Sequence, residues 1–251
     1  MKISAFFQSF GAYCLFIFDV LKQIHKIPYR FPEIIRQMKS VGFDSLIIMT
    51  VTSAFTGFVT AVQASYQTNG YIPKSLIGVM VSKSTMIELG PVLTSLVLSG
   101  KIGASLAAEI GTMKVSEQLE ALESLAVDVS DYLYLPRIFS GIIMFPVLTV
   151  YANFVTIISA YFLSALYYKI NYYTFFGNMK AFFHPADLWS GILKAFLFGF
   201  VVSSAGCFMG SRTANGSEGV GRAATDTVVY SSIALLIVDF LVASFLFGGV
   251  N

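Results

Sequence analysis

Apolar residues run along this chain in long blocks, broken by short charged stretches. No charged residue occurs from Ser45 to Pro73, and none from Ile138 to Tyr168. A helix needs about 20 largely apolar residues to cross a hydrocarbon core about 30 Å thick, at about 1.5 Å per residue. The pattern therefore predicts an all-α membrane protein with spans at 43–66, 76–108, 138–168, 188–210 and 226–248. Pro91 falls inside the second span and should bend it, because proline removes a backbone hydrogen bond. The Gln67-Thr68-Asn69-Gly70 turn and Pro73 separate the first two spans.

The run Ile3–Phe18 is too short for a span and is interrupted by Gln8, Ser9 and Gly11. It reads as an interfacial helix with Phe6, Phe7, Phe10, Leu15 and Phe18 toward lipid. No small-residue cleavage site follows, which favours a retained segment over a signal peptide. Pro28 and Pro32 then turn the chain, so residues 1–42 form an interfacial elbow. The loop Lys169–Asp187 carries Tyr172, Tyr173, Phe175, Phe176, Phe182 and Phe183, an aromatic density typical of a membrane–water boundary.

Charge sets the orientation. Lys22, Lys26, Arg30, Arg36, Lys39, Lys114, Arg137, Arg212 and Arg222 fall on one side of the five spans, and Lys74, Lys169 and Lys180 on the other. Basic loops stay cytoplasmic, so the N-terminus is expected inside and the C-terminus outside. An odd number of spans and the lack of an internal repeat argue against two inverted halves. Composition agrees: 56% of the 251 residues are hydrophobic and 12% charged, against about 25% charged in soluble domains. A formal net charge of +2 gives no reason to expect a nucleic-acid partner. Cys14 and Cys207 lie in apolar runs and read as small core residues.

Enzyme signatures are missing. Gly100-Lys101 lacks the first glycine and the final Ser/Thr of a phosphate loop, since Ser95 and Ile102 stand there. Gly216–Gly221 has its glycines in the wrong order for a dinucleotide fingerprint and reads as part of a polar loop over 210–225. His25 and His184 are isolated, and His184 reads as an interfacial residue.

The informative charges are intramembrane. A carboxylate at mid-bilayer costs roughly 2.5–3.5 kcal/mol on insertion scales, so it faces a partner or a cavity. Glu88 lies in the second span, either paired with Lys83 or Lys101 or exposed to a substrate path. Asp239 lies in the fifth, where Ser203, Ser204 or Lys194 could satisfy it. Lys194 itself is placed near the outer end of its span, free to snorkel. Small residues recur every four positions at Gly100, Ala104 and Ala108 and at Gly103, Ala107 and Gly111. Such ridges suit close packing, within one subunit or at a homodimer seam. Residues 109–131 read as an amphipathic helix. Val115, Leu119, Leu122 and Ala126 form its apolar stripe, Glu117, Glu120 and Glu123 lie off it, and Ser116 serves as its cap. The pattern suits a solvated connector or a helix that docks into a groove of a soluble subunit.

Several motifs in order resemble the MlaE/YrbE-type permease family. They are Glu88-Leu89-Gly90-Pro91, Ser99-Gly100-Lys101-Ile102-Gly103, Ala108-Glu109-Ile110-Gly111-Thr112-Met113 and Glu117-Gln118-Leu119-Glu120-Ala121-Leu122. Gly219-Val220-Gly221-Arg222-Ala223-Ala224-Thr225 and Val228-Val229-Tyr230-Ser231-Ser232 complete the set. The resemblance covers essentially the whole chain. It implies a single permease domain: an interfacial N-terminal helix, five transmembrane helices and a cytoplasmic coupling helix. The implied protein is the membrane subunit of an ABC transporter that moves phospholipids between membranes. It would be a homodimer in a bacterial inner membrane, with a plastid inner envelope as the alternative. Its implied partners are a cytoplasmic ATPase, an MCE substrate-binding protein outside and, in some systems, a STAS-type subunit. No cofactor is expected in this chain, because ATP and magnesium belong to the ATPase. By family likeness Val59, Thr60, Gln63, Tyr66, Tyr71 and Glu88 line the lipid cavity. Glu109, Met113, Glu117, Leu119, Glu120 and Leu122 would meet the ATPase. Three positions depart from the family pattern: Ile87 and Lys101 stand where arginine is usual, and Val129 where proline is. The rival readings are an ion-coupled transporter or channel using Glu88 and Asp239, and a scaffold that moves nothing.

Overall fold

The computed structural model describes residues 2–67, 73–214 and 216–248, with side chains described from Phe7 onward. Among these residues there are nine helices and no strand. Helix α1 (Lys2–Lys22) leads through a 3₁₀ stretch (Ile24–Arg30) into α2 (Phe31–Phe43). Then come α3 (Leu46–Gln67), α4 (Lys74–Val115), α5 (Gln118–Ser124) and α6 (Ser130–Tyr168). The chain continues through α7 (Tyr172–Ala181), α8 (Pro185–Ser211) and α9 (Gly216–Phe247). Helices α3, α4, α6, α8 and α9 are each long and apolar enough to cross a membrane.

Three elements differ from the sequence reading. The aromatic loop contains helix α7, which buries Phe175 completely. The polar stretch 216–225 is helical and continuous with the fifth span, which hydropathy alone started at 226. Its Glu218–Arg222 pair, 2.6 Å apart at i,i+4, supports the added turns. Helix α4 has 42 residues, about 63 Å of helix, so it runs well past a hydrocarbon core. The coupling helix expected over 109–131 is therefore three pieces: the end of α4, the short α5, and the start of α6.

Pro91 does not break α4. Before it, Thr85–Leu89 forms a π turn in which the Gly90 N–H reaches back five residues to the Thr85 carbonyl. The wider turn absorbs the bond that proline cannot make. The same device precedes Pro136, where the Leu135 N–H reaches the Ser130 carbonyl over the π turn Ser130–Tyr134. A third π turn, Ser99–Gly103, contains two glycines. Each turn carries one acidic or basic side chain: Glu88, Lys101 and Asp131.

The chain divides into two compact units. One comprises Met1–Val41, Leu98–Met144 and Gly199–Leu235, around a core of Val20, Ile110, Leu119, Val129, Leu133 and Cys207. In it the ridge Gly103, Ala107, Gly111 is buried against α8. A Cβ on Gly206 would lie 2.9 Å from the Gly103 carbonyl oxygen, and one on Gly210 2.9 Å from that of Ala107. That ridge is packing within one subunit, whereas Gly100 faces outward with open space around it. Cys207 is buried as expected, but Cys14 is exposed on α1. The other unit comprises Gly42–Val97, Phe145–Phe198 and Leu236–Asn251, around Ala61, Ile77, Val81, Ile157, Ala160 and Phe175.

Candidate functional site

The second unit gathers three charges from three helices. Lys194 of α8 is fully buried, and its Nζ lies 2.6 Å from Glu88 Oε1 of α4 and 2.8 Å from Asp239 Oδ1 of α9. Burying an ammonium without partners costs several kcal/mol, and two carboxylates offset that cost. The sequence reading had Lys194 snorkelling or satisfying Asp239, and Glu88 either paired with Lys83 or Lys101 or open to a substrate path. Instead Lys83 pairs with Asp187 at 3.7 Å. The reason lies in α8 itself. Lys194 sits on the stripe formed by Ser190, Gly191, Ala195 and Phe198, all buried, while Trp189, Leu193, Phe196 and Leu197 point outward. Small residues mark the packing face of a membrane helix, so a lysine on that face turns inward. This stripe was the signal available in the sequence.

Glu88 is the open end of the triad, with its side chain 41% exposed. It borders a cleft of about 280 Å³ lined also by Thr60, Gln63, Gln67, Met80 and Ser84. Thr60 turns its hydroxyl to the Thr56 carbonyl, 2.7 Å away. Of the six residues assigned to the cavity, the structure brings Thr60, Gln63 and Glu88 together. Val59 and Tyr66 are exposed and do not line the cleft. Tyr71 lies outside the described residues. The cleft sets polar side chains and a carboxylate paired with a buried cation beside an apolar part formed by Ala64, Met80 and Leu89. That suits a ligand with both apolar and polar parts.

The segment between α4 and α6 differs in detail from the uniform helix expected. Glu117 adopts a left-handed conformation (φ 58°) that separates α4 from α5. Ser116 does not cap the N-terminus of α5, where Glu117 stands, but closes the C-terminus of α4. Its hydroxyl donates back to the Thr112 carbonyl at 2.8 Å. Only part of the apolar stripe is turned into the protein: Leu119 is buried and Leu122 packs against the same core together with Met113, whereas Val115 and Ala126 are exposed. Glu109 Oε2 lies 3.3 Å from Nη2 of the buried Arg137 and its Oε1 accepts from Ser105 Oγ at 3.1 Å. Lys114 pairs with Glu120, and that hydrogen bond holds the Glu120 carboxyl below the usual carboxylate range. Among the residues this segment presents outward are Glu117, Glu120, Glu123 and Leu125.

Five membrane-length helices and a cleft lined by polar side chains around Glu88 fit a membrane permease. The chain belongs to the MlaE permease family, whose family model, Permease MlaE, matches residues 34–245. A "probable ABC transporter permease protein" of Rickettsia conorii is 37% identical over 242 residues, 96% of this chain and 93% of that one. The intermembrane phospholipid transport system permease protein MlaE of Haemophilus influenzae is 32% identical over 248 residues, 98% of this chain and 95% of that one. The chloroplastic protein trigalactosyldiacylglycerol 1 of Arabidopsis thaliana is 33% identical over 231 residues, 92% of this chain and 66% of that one.

Proposed function

We propose that this chain is the membrane subunit of an ABC transporter that moves phospholipids between membranes, with ATP hydrolysed by a separate subunit. The single observation that carries the reading is the cleft at Glu88, which sets an anchored charge and polar side chains beside the apolar Ala64, Met80 and Leu89, in a chain of this family. A phospholipid has both a charged head group and acyl chains, so such a cleft matches its chemistry. Glu88 and Asp239 share one buried cation, which leaves the ion-relay alternative without two free carboxylates.

The finer assembly follows from the family likeness. We infer a homodimer in a bacterial inner membrane with its N-terminus cytoplasmic and its α4–α6 connection against the ATPase. An MCE substrate-binding protein on the outer side would hand over or receive lipid, and some systems would add a STAS-type subunit. Two helices support a partnered state: in α3 and α9 only 22% and 11% of the apolar window is buried.

The test is to purify the chain with its co-expressed partners and reconstitute it in labelled vesicles. ATP-dependent transfer of phospholipid, abolished when the ATPase is inactivated, is expected. Transfer by the chain alone, driven by an ion gradient, would overturn the reading.

A further inference from the structure

Asp131 lies at the beginning of α6, in a π turn, with its side chain 9% exposed. It is occupied by two cations from the N-terminal elbow. Arg30 holds it through two bonds, Nη2 to Oδ2 at 2.8 Å and Nε to Oδ1 at 3.2 Å, and Lys26 Nζ lies 3.5 Å from Oδ2. The Arg30 guanidinium also lies over the Tyr132 ring at 5.2 Å. Three residues earlier, Asp128 Oδ2 accepts from Gln23 Nε2 at 2.7 Å while its Oδ1 accepts from the Ser130 N–H at 2.9 Å. Apolar contacts run parallel to these. Val20 of α1 and Leu119 of α5 share one core, and the Phe16 ring lies 5.1 Å from that of Tyr134.

The connection from α5 to this anchor has little slack. Only residues 125–129 intervene, and they are tied by the Val127 N–H to the Leu122 carbonyl (3.0 Å) and by a left-handed Ala126 (φ 56°). A paired arginine fork fixes direction as well as distance, unlike a single lysine contact. Coupling between elements travels through such contiguous networks.

We propose that Asp131 is a positioning residue that couples α5 to the N-terminal helix α1, so that a displacement of α5 carries α1 with it. This makes the interfacial helix a moving part of the transport cycle rather than a passive anchor. The proposal rests on the reading of the α4–α6 connection as the face that meets the ATPase.

The experiment uses the full transporter complex. Spin labels on the exposed Cys14 of α1 and on a cysteine introduced by Ser124→Cys report the α1–α5 distance, with and without a non-hydrolysable ATP analogue. In the otherwise unmodified protein, one narrow distance distribution common to both states is expected. Asp131→Asn should broaden it and lower the lipid moved per ATP hydrolysed by roughly fivefold. The charge exchange R30D/D131R should restore both. Arg30→Gln, which keeps the carboxylate, supplies the same readouts should Asp131→Asn fail to fold. A distance that shifts on nucleotide binding would overturn the proposal. So would Asp131→Asn with an unchanged distribution and unchanged lipid per ATP, or a charge exchange no better than Asp131→Asn. Absence of ATP-dependent lipid transfer in the unmodified complex would instead overturn the functional reading. The distance measurement on the permease needs no transport and separates the two failures.

Discussion

Lys194 stands 2.6 Å from Glu88, an ion pair between two membrane helices in which the lysine is fully buried and the glutamate borders a cleft. Asp239 completes the set at 2.8 Å. The pair gives Glu88 a fixed direction without closing it off. Ile87 beside Glu88 carries no charge, and the cation that pairs with Glu88 comes from α8.

Removing the lysine should be costly. Lys194→Met leaves two carboxylates without their common partner, and breaking a buried pair in this way costs about 3–5 kcal/mol. A markedly lowered unfolding temperature in detergent is expected, with most of it recovered in E88L/K194M/D239L. Glu88→Leu alone should cost less, because Lys194 keeps Asp239, yet it should reduce lipid recovered with the purified complex. Equal stability losses for Lys194→Met and Glu88→Leu, with lipid content unchanged, would refute the assignment of an open and a closed end.

Gly90 is expected to resist any side chain. A Cβ there would fall 1.8 Å from Asn153 Oδ1 and 2.7 Å from the Thr85 carbonyl oxygen. Gly90→Ala should destabilise the protein by about 1–3 kcal/mol, the usual cost of overpacking. Asn153→Ala should recover part of that loss, because it removes the nearer clash. Thermal unfolding of the two single variants and the double variant measures the coupling.

Leu119 and Leu125 should behave in opposite ways. The family likeness placed both Leu119 and Leu122 among the residues that would meet the ATPase. The structure buries Leu119 and leaves Leu125 75% exposed. Leu119→Asp is therefore expected to unfold the α5 region, seen as rapid proteolysis there. Leu125→Asp should keep the native protease pattern while lowering stimulation of the ATPase. A proteolysis-resistant Leu119→Asp variant would contradict the packing described.

Acid should loosen α5 in a definite direction. The Lys114 hydrogen bond depresses the Glu120 carboxyl below its ordinary value of 4.5. A group lowered on folding contributes its stability above the unfolded value and loses it as pH falls through the folded one. Amide exchange in α5, corrected for its intrinsic pH dependence, should thus be flat from neutral pH down to about 4.5 and accelerate below. Lys114→Met should remove that acid limb, and an unaltered profile in Lys114→Met would exclude this pair as its source. The side chain is solvent-exposed, so high salt should weaken the effect.

The sequence by itself determined the number of membrane-length helices, the two carboxylates within them and the family. These follow from local quantities: stretch length, mean hydropathy and short motifs at fixed spacing. Tertiary structure alone decided which groups meet. Lys194 turned inward because its neighbours Ser190, Gly191 and Ala195 let another helix approach, and no window average reports that. The ridge at Gly103, Ala107 and Gly111 was legible as small, but its partner, α8, was not. The stripe Val115, Leu119, Leu122, Ala126 assumed a single unbroken helix, and the left-handed Glu117 broke that assumption. Helical spacing can be counted along a chain only until a π turn or a reversed residue resets the phase, and after that packing decides which face is buried.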